Sequence, residues 1–145
     1  RDCSSLLMDL FAPFGIWLPR NSGHQAKRTG RYVDLSTLSP REKEKAILTQ
    51  GLPYFTLLWL KGHIMLYIGE QAGRAVVFHN FWKVKTVDLQ GRKGRRIVGR
   101  AVITTLNPGQ ELRPEGDPGE ILPAIQGMTI LWPPPTSVNF PPSGK

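Results

Sequence analysis

The amino-acid sequence predicts an α+β domain with an antiparallel sheet. Three observations lead there: helical periodicity is confined to the first fifty residues, strand-like runs follow from Tyr54, and turn residues separate those runs at short intervals. A chain of 145 residues, 40% hydrophobic, is in the range of one compact domain with its own core. No stretch approaches the roughly 20 apolar residues that a membrane helix needs, so no transmembrane segment is expected.

The elements follow in order. Cys3, Leu6, Leu7, Leu10 and Phe11 recur at the three-four spacing of a helix, Asp2 suits its N-cap, and Pro13 and Gly15 close it. Residues 16 to 39 read as polar and mixed, with a short helical turn around Gln25 to Arg28. Ser39-Pro40-Arg41-Glu42 then opens a second helix running to about Gln50: Ser caps, Pro fits the first turn, and Glu stands three residues after the cap. Gly51 ends it. Strands are expected over Tyr54 to Leu60, His63 to Ile68, Ala75 to Asn80, Trp82 to Asp88, Arg96 to Thr105 and Met128 to Leu131. Nine of the thirteen prolines lie from Pro108 onward, so residues 1–131 are read as the domain and 132–145 as a proline-rich tail.

Nineteen Lys and Arg against eleven Asp and Glu give a net charge of +8. The cations cluster at Lys27, Arg28 and Arg31, and again from Lys83 to Arg100. Such a surface attracts polyanions. The second cluster is interleaved with Val, Ile, Thr and Gly, and no nucleic-acid motif of defined spacing is present, so it reads as a solvated basic face with weak attraction for anionic envelope polymers and not as a specific nucleic-acid site.

A single cysteine excludes an internal disulfide and a multi-cysteine zinc site; no metal or cofactor is expected. Cys3 stands in the first turn of a helix, where unpaired backbone N–H groups and the positive end of the dipole favour a thiolate. From position alone, a reactive thiol and a small residue packed among Leu6, Leu7 and Leu10 are equal readings. The second feature is a hairpin from His63 to Asn80 with Gly69 to Gly73 as its turn. Pairing symmetric about Gln71 would set Tyr67 opposite Ala75, Met65 opposite Val77 and His63 opposite His79, with the two imidazoles on one face. A one-residue slip would separate them. A thiol, an imidazole and a group that fixes the imidazole's tautomer are the parts of a nucleophilic site. His24 reads as a solvent-facing loop residue.

The motifs Asp2-Cys3-Ser4-Ser5-Leu6 and Gly62-His63-Ile64-Met65-Leu66-Tyr67-Ile68-Gly69, followed by His79, resemble the NlpC-type family of papain-like cysteine peptidases. The segment Leu10 to Ser22 is similar to the subgroup that carries Src-homology-like domains upstream, and Gly99 to Leu106 extends the likeness. The resemblance implies a papain-like fold, with the nucleophile on an N-terminal helix packed on the sheet. It further implies a peptidoglycan hydrolase of the bacterial envelope, periplasmic or secreted, acting on stem peptides between D-glutamate and meso-diaminopimelate or lysine.

In that reading Cys3 attacks, His63 is the base and His79 orients it, while Asp2 and Ser4 bind the amino end of the stem peptide. Asp2 is equally a plain helix cap, and Ser4 equally a residue that solvates the first turn. Only Arg1 and Asp2 precede Cys3, so the resemblance also implies a further segment upstream. An amidase of the related cysteine–histidine group and a silent polymer-binding module are the alternatives. A permuted lipid acyltransferase is disfavoured because Cys3 precedes His63.

Overall fold

The computed structural model describes residues 2–88, 90–113, 115–117 and 119–131; the tail expected over 132–145 lies outside them. Four helices and six strands run in the order α1 (Cys3–Phe11), α2 (Ser22–Arg28), β1 (Arg31–Asp34), α3 (Pro40–Gln50), β2 (Thr56–Leu60), β3 (His63–Gln71), β4 (Arg74–Val87), β5 (Lys93–Thr105), α4 (Ile121–Ala124) and β6 (Gly127–Ile130). Single 3-10 turns at Ala12–Phe14 and Gln110–Leu112 complete the described elements. The strands form one sheet in the order β1-β6-β2-β3-β4-β5, antiparallel at every described pairing. The expected α+β class is the observed one.

Local chemistry explains both long helices. The Asp2 carboxylate accepts from the Ser5 N–H at 2.9 Å and caps α1. At α3 the capping box is complete, with Ser39 N–H donating to Glu42 Oε2 at 2.8 Å and the Ser39 hydroxyl accepting from Glu42 N–H at 3.4 Å. Helix α2 starts three residues earlier than expected because Asn21 caps it, accepting from the N–H groups of Gly23 and His24. His24 therefore lies on a helix, not in a loop, although it is solvent-facing as expected. Strand β1 was unforeseen: only four residues long, it exists by pairing with β6, more than ninety residues away in sequence.

The sheet separates two core layers, and alternation along its strands assigns each side chain to one of them. Leu57, Ile64 and Leu66 pack with Leu7, Phe11, Leu18 and Ala26 beneath α1 and α2. Leu58, Met65, Tyr67 and Val77 pack with Ile47, Leu106 and Met128 on the side of α3. Lys43 of α3 is buried, and its ammonium group donates to the carbonyls of Pro123 and Ile125, each at 2.7 Å, which ties α3 to the segment leading into β6. Among the described residues no helix is long and apolar enough to cross a membrane.

The two strands expected from Ala75 to Asp88 are one, β4, with an irregularity between Phe81 and Lys83 where the pairing with β5 shifts. Beyond it β4 and β5 continue as a two-stranded arm on which Lys83, Lys93, Arg95 and Arg96 are exposed, and Arg100, also exposed, stands just before the shift opposite Phe81. The second basic cluster is thus a solvated surface.

The expected hairpin register is corrected. The turn is the two residues Ala72 and Gly73, both with positive φ (50° and 75°), and Gln71 pairs with Arg74, Glu70 with Ala75 and Gly69 with Val76. Continued unchanged, that ladder would set Ile68 opposite Val77, with His63 and His79 on opposite faces. Instead Ile68 bulges: Tyr67 pairs with Val77 and Leu66 with Phe78. Gly69, at φ 138°, supplies a conformation that L-residues rarely adopt. The corrected register differs from a pairing symmetric about Gln71 by two residues, an even number, so both histidines stay on one face. They are diagonal neighbours, not directly opposite.

Candidate active site

The site is built at the start of α1 and the start of β3. Cys3 is the first residue of α1, partly buried against Leu7 and its neighbours, and its backbone N–H has no intrahelical acceptor. Asp2, Cys3 and Ser4 share an open groove of about 350 Å³ with Arg20, Asn21, Ser22 and Gly62. Gly62 closes the tight turn between β2 and β3 at φ 82°, and His63 follows it as the first residue of β3. The helix start thus shares a groove with Gly62, one residue before His63.

His63 and His79 are joined directly. His63 Nε2 and His79 Nδ1 lie 2.9 Å apart, with ring centroids 5.2 Å apart in an edge-on arrangement. His79 is fully buried, tilted against Phe81 at 5.0 Å between centroids. Its other nitrogen, Nε2, is 3.0 Å from Thr104 Oγ1, and Thr104 Oγ1 is in turn 2.8 Å from the Thr105 carbonyl oxygen. Thr104 reaches His79 from β5, where His79 pairs with Val102 and Val77 with Thr104, so the contact is a diagonal one across the β4–β5 ladder.

Burial disfavours charge on both rings. It lowers the His63 pKa to about 4 and that of His79 to about 3, the latter helped by the neighbouring His63. Both imidazoles are therefore neutral near pH 7. With His63 Nε2 engaged by His79, Nδ1 is the ring nitrogen left outside that contact. Among the described residues no hydrogen bond links Cys3 to His63.

Asp2 and Ser4, the predicted binding residues, belong to one polar cluster with Arg20. Arg20 Nη2 donates to Asp2 Oδ2, its Nη1 donates to Asp2 Oδ1 at 3.2 Å and to Ser4 Oγ at 2.7 Å, and Ser4 Oγ donates to Asp2 Oδ1 at 3.1 Å. The Arg20 guanidinium, with the Ser5 N–H, holds the Asp2 carboxyl well below the usual carboxylate range. Ser4 is buried, so it does more than solvate the first turn. Buried Gln25 locks the cluster from behind, its Nε2 donating to the Ser4 and Pro19 carbonyls at 2.9 and 2.8 Å.

Arg20, Gln25 and Thr104 were not singled out from the sequence. Arg20 is 18 residues from Asp2 and Thr104 is 25 from His79. No local pattern signals either contact. Among the described residues no group of three or more His, Cys, Asp or Glu could hold a metal ion.

Comparison with known proteins bears on the family and the fold. The sequence pattern of the NlpC/P60 family matches residues 1–93. None of the curated proteins compared with the chain matches it. A solved structure described as a novel NlpC/P60 endopeptidase from Photobacterium damselae subsp. piscicida is similar at 29% sequence identity with a TM-score of 0.72 over 90% of this chain. The chain spans only 33% of that protein. A match over well more than half of its residues, on a papain-like α+β fold, places the chain in the NlpC/P60 family.

Proposed function

We propose that this chain is the catalytic domain of a bacterial cell-wall cysteine peptidase that cleaves peptidoglycan stem peptides between D-glutamate and meso-diaminopimelate or lysine. The observation that carries the proposal is the junction of the first turn of α1 with the Gly62-His63 end of β3, where His63 is hydrogen-bonded through Nε2 to His79. Cys3 Sγ attacks the scissile carbonyl. His63 Nδ1 takes the thiol proton and returns it to the leaving amine, and His79 holds the ring. The Cys3 N–H, free of an intrahelical acceptor, faces the developing oxyanion.

Asp2 and Ser4 receive the amino end of the stem peptide, with Arg20 fixing both. Src-homology-like domains upstream of Arg1 complete the wall of this groove, and the protein works in the cell envelope, periplasmic or secreted. The test is digestion of purified muropeptides by wild type and Cys3→Ala, with the products weighed by mass spectrometry. Release of L-Ala-D-Glu fragments by wild type alone supports the reading. Release of intact stem peptides from the glycan would identify an amidase, and no release under any condition would favour a silent module.

A further inference from the structure

We infer that Thr104 is a positioning residue whose hydroxyl sets the direction of the hydrogen-bond chain through His79 and so leaves His63 Nδ1 as the free base nitrogen. The inference rests on the reading of His63 as base proposed above, and the observations behind it are three consecutive contacts.

The chain is read from its fixed end. A backbone carbonyl only accepts, so the 2.8 Å contact between Thr104 Oγ1 and the Thr105 oxygen consumes the one hydroxyl proton of Thr104. Towards His79 Nε2, 3.0 Å away, that oxygen is left as an acceptor, and His79 must carry its proton on Nε2. A neutral imidazole has one N–H, so His79 Nδ1 is a lone pair. It accepts from His63 Nε2 at 2.9 Å. His63 then holds its single proton on Nε2, and Nδ1 is bare.

The opposite polarity is equally well spaced and useless for catalysis. Were Thr104 to donate to His79 Nε2, His79 would donate from Nδ1 and His63 would be protonated on Nδ1, the nitrogen required to take the thiol proton. His79 by itself does not choose between the two, because it is both donor and acceptor. Thr104 does, since its own proton is committed to a main-chain oxygen that cannot reverse. The buried position of His79 strengthens the choice: the opposite polarity would take the Thr104 hydroxyl proton away from the Thr105 carbonyl, with no water at His79 to make up the loss.

The experiment reads the tautomers directly. Long-range ¹H–¹⁵N spectra of ¹⁵N-histidine-labelled protein at pH 7 should show both rings protonated on Nε2. Thr104→Val, similar in shape but without the acceptor, should shift His63 and His79 wholly or partly to the Nδ1–H form and lower kcat on L-Ala-D-Glu-diaminopimelate peptides about tenfold or more with KM little changed. Thr104→Ser should restore both. Wild-type rings protonated on Nδ1, or Thr104→Val with unaltered tautomers and kcat, would overturn the inference. Should Thr104→Val fail to fold, the wild-type spectrum and Thr104→Ala decide instead. Failure of the underlying reading looks different: His63→Ala or Cys3→Ala would retain cleavage, whatever the spectra show.

Discussion

His63 and His79 meet, Nε2 to Nδ1 at 2.9 Å, because Ile68 bulges out of the ladder between them and the hairpin turn. The turn alone would have placed the two rings on opposite faces of the sheet. One extra residue in β3 reverses the parity, and the positive φ of Gly69 makes room for it.

Gly69→Val should therefore harm the site more than the fold. A branched residue at φ 138° costs about 1–3 kcal/mol and favours an unbulged ladder that separates the histidines. Deleting Ile68 in the same chain removes the need for a bulge while keeping Tyr67 opposite Val77. The double change should recover part of the muropeptide cleavage that Gly69→Val loses. A cross-peak between the His63 and His79 ring protons, present in wild type, absent in Gly69→Val and regained in the double variant, is the structural check.

The two histidines should differ in what their loss does. His63→Ala removes the proton acceptor and should lower kcat by about 10²–10⁴. His79→Gln keeps a group able to accept from His63 and to donate to Thr104, so turnover should fall far less. Steady-state kinetics on a soluble stem peptide separate the cases. Equal loss in both, with matching circular dichroism, would remove the division of labour.

Burial of two neutral imidazoles makes stability fall in mild acid. In the unfolded chain each ring titrates near 6.5, whereas in the folded state burial lowers His63 to about 4 and His79 to about 3. Below pH 6.5 the unfolded chain binds protons that the folded protein refuses. Stability is thus full above about 6.5 and declines as pH falls towards 4, by up to about 1.4 kcal/mol per pH unit for each ring. Urea denaturation at pH 7 and 4.5 should show the decline, and His79→Gln should remove its share. This window lies above the range where the depressed carboxylates of Asp2 and Asp88 titrate.

Asp2 separates capping from recognition. Asn caps a helix about as well as Asp, so Asp2→Asn should leave the melting temperature nearly unchanged. It removes the charge that Arg20 and Ser4 hold in place at the groove. If that charge meets the ammonium group of the substrate, the preference for free over acetylated L-Ala-D-Glu-diaminopimelate peptides should fall a few-fold to about tenfold. An unchanged preference would reduce Asp2 to a cap.

Much of this was legible without the fold. Helix α1 and its cap, the capping box of α3 and the strand runs follow from patterns only a few residues long, because helix starts and amphipathic periods are local physics. The same reading placed His63 and His79 on one face of the hairpin, where the structure joins them. Tertiary structure decided the rest. The parity of the β3–β4 hairpin turned on a single bulged residue, whose cost and benefit depend on how both faces of the sheet pack. Strand β1 exists only through β6, and the contacts of Arg20 with Asp2 and of Thr104 with His79 span 18 and 25 residues. Such pairings carry no periodic signal, because they are selected by the packing of whole elements and not by the residues beside them in the chain.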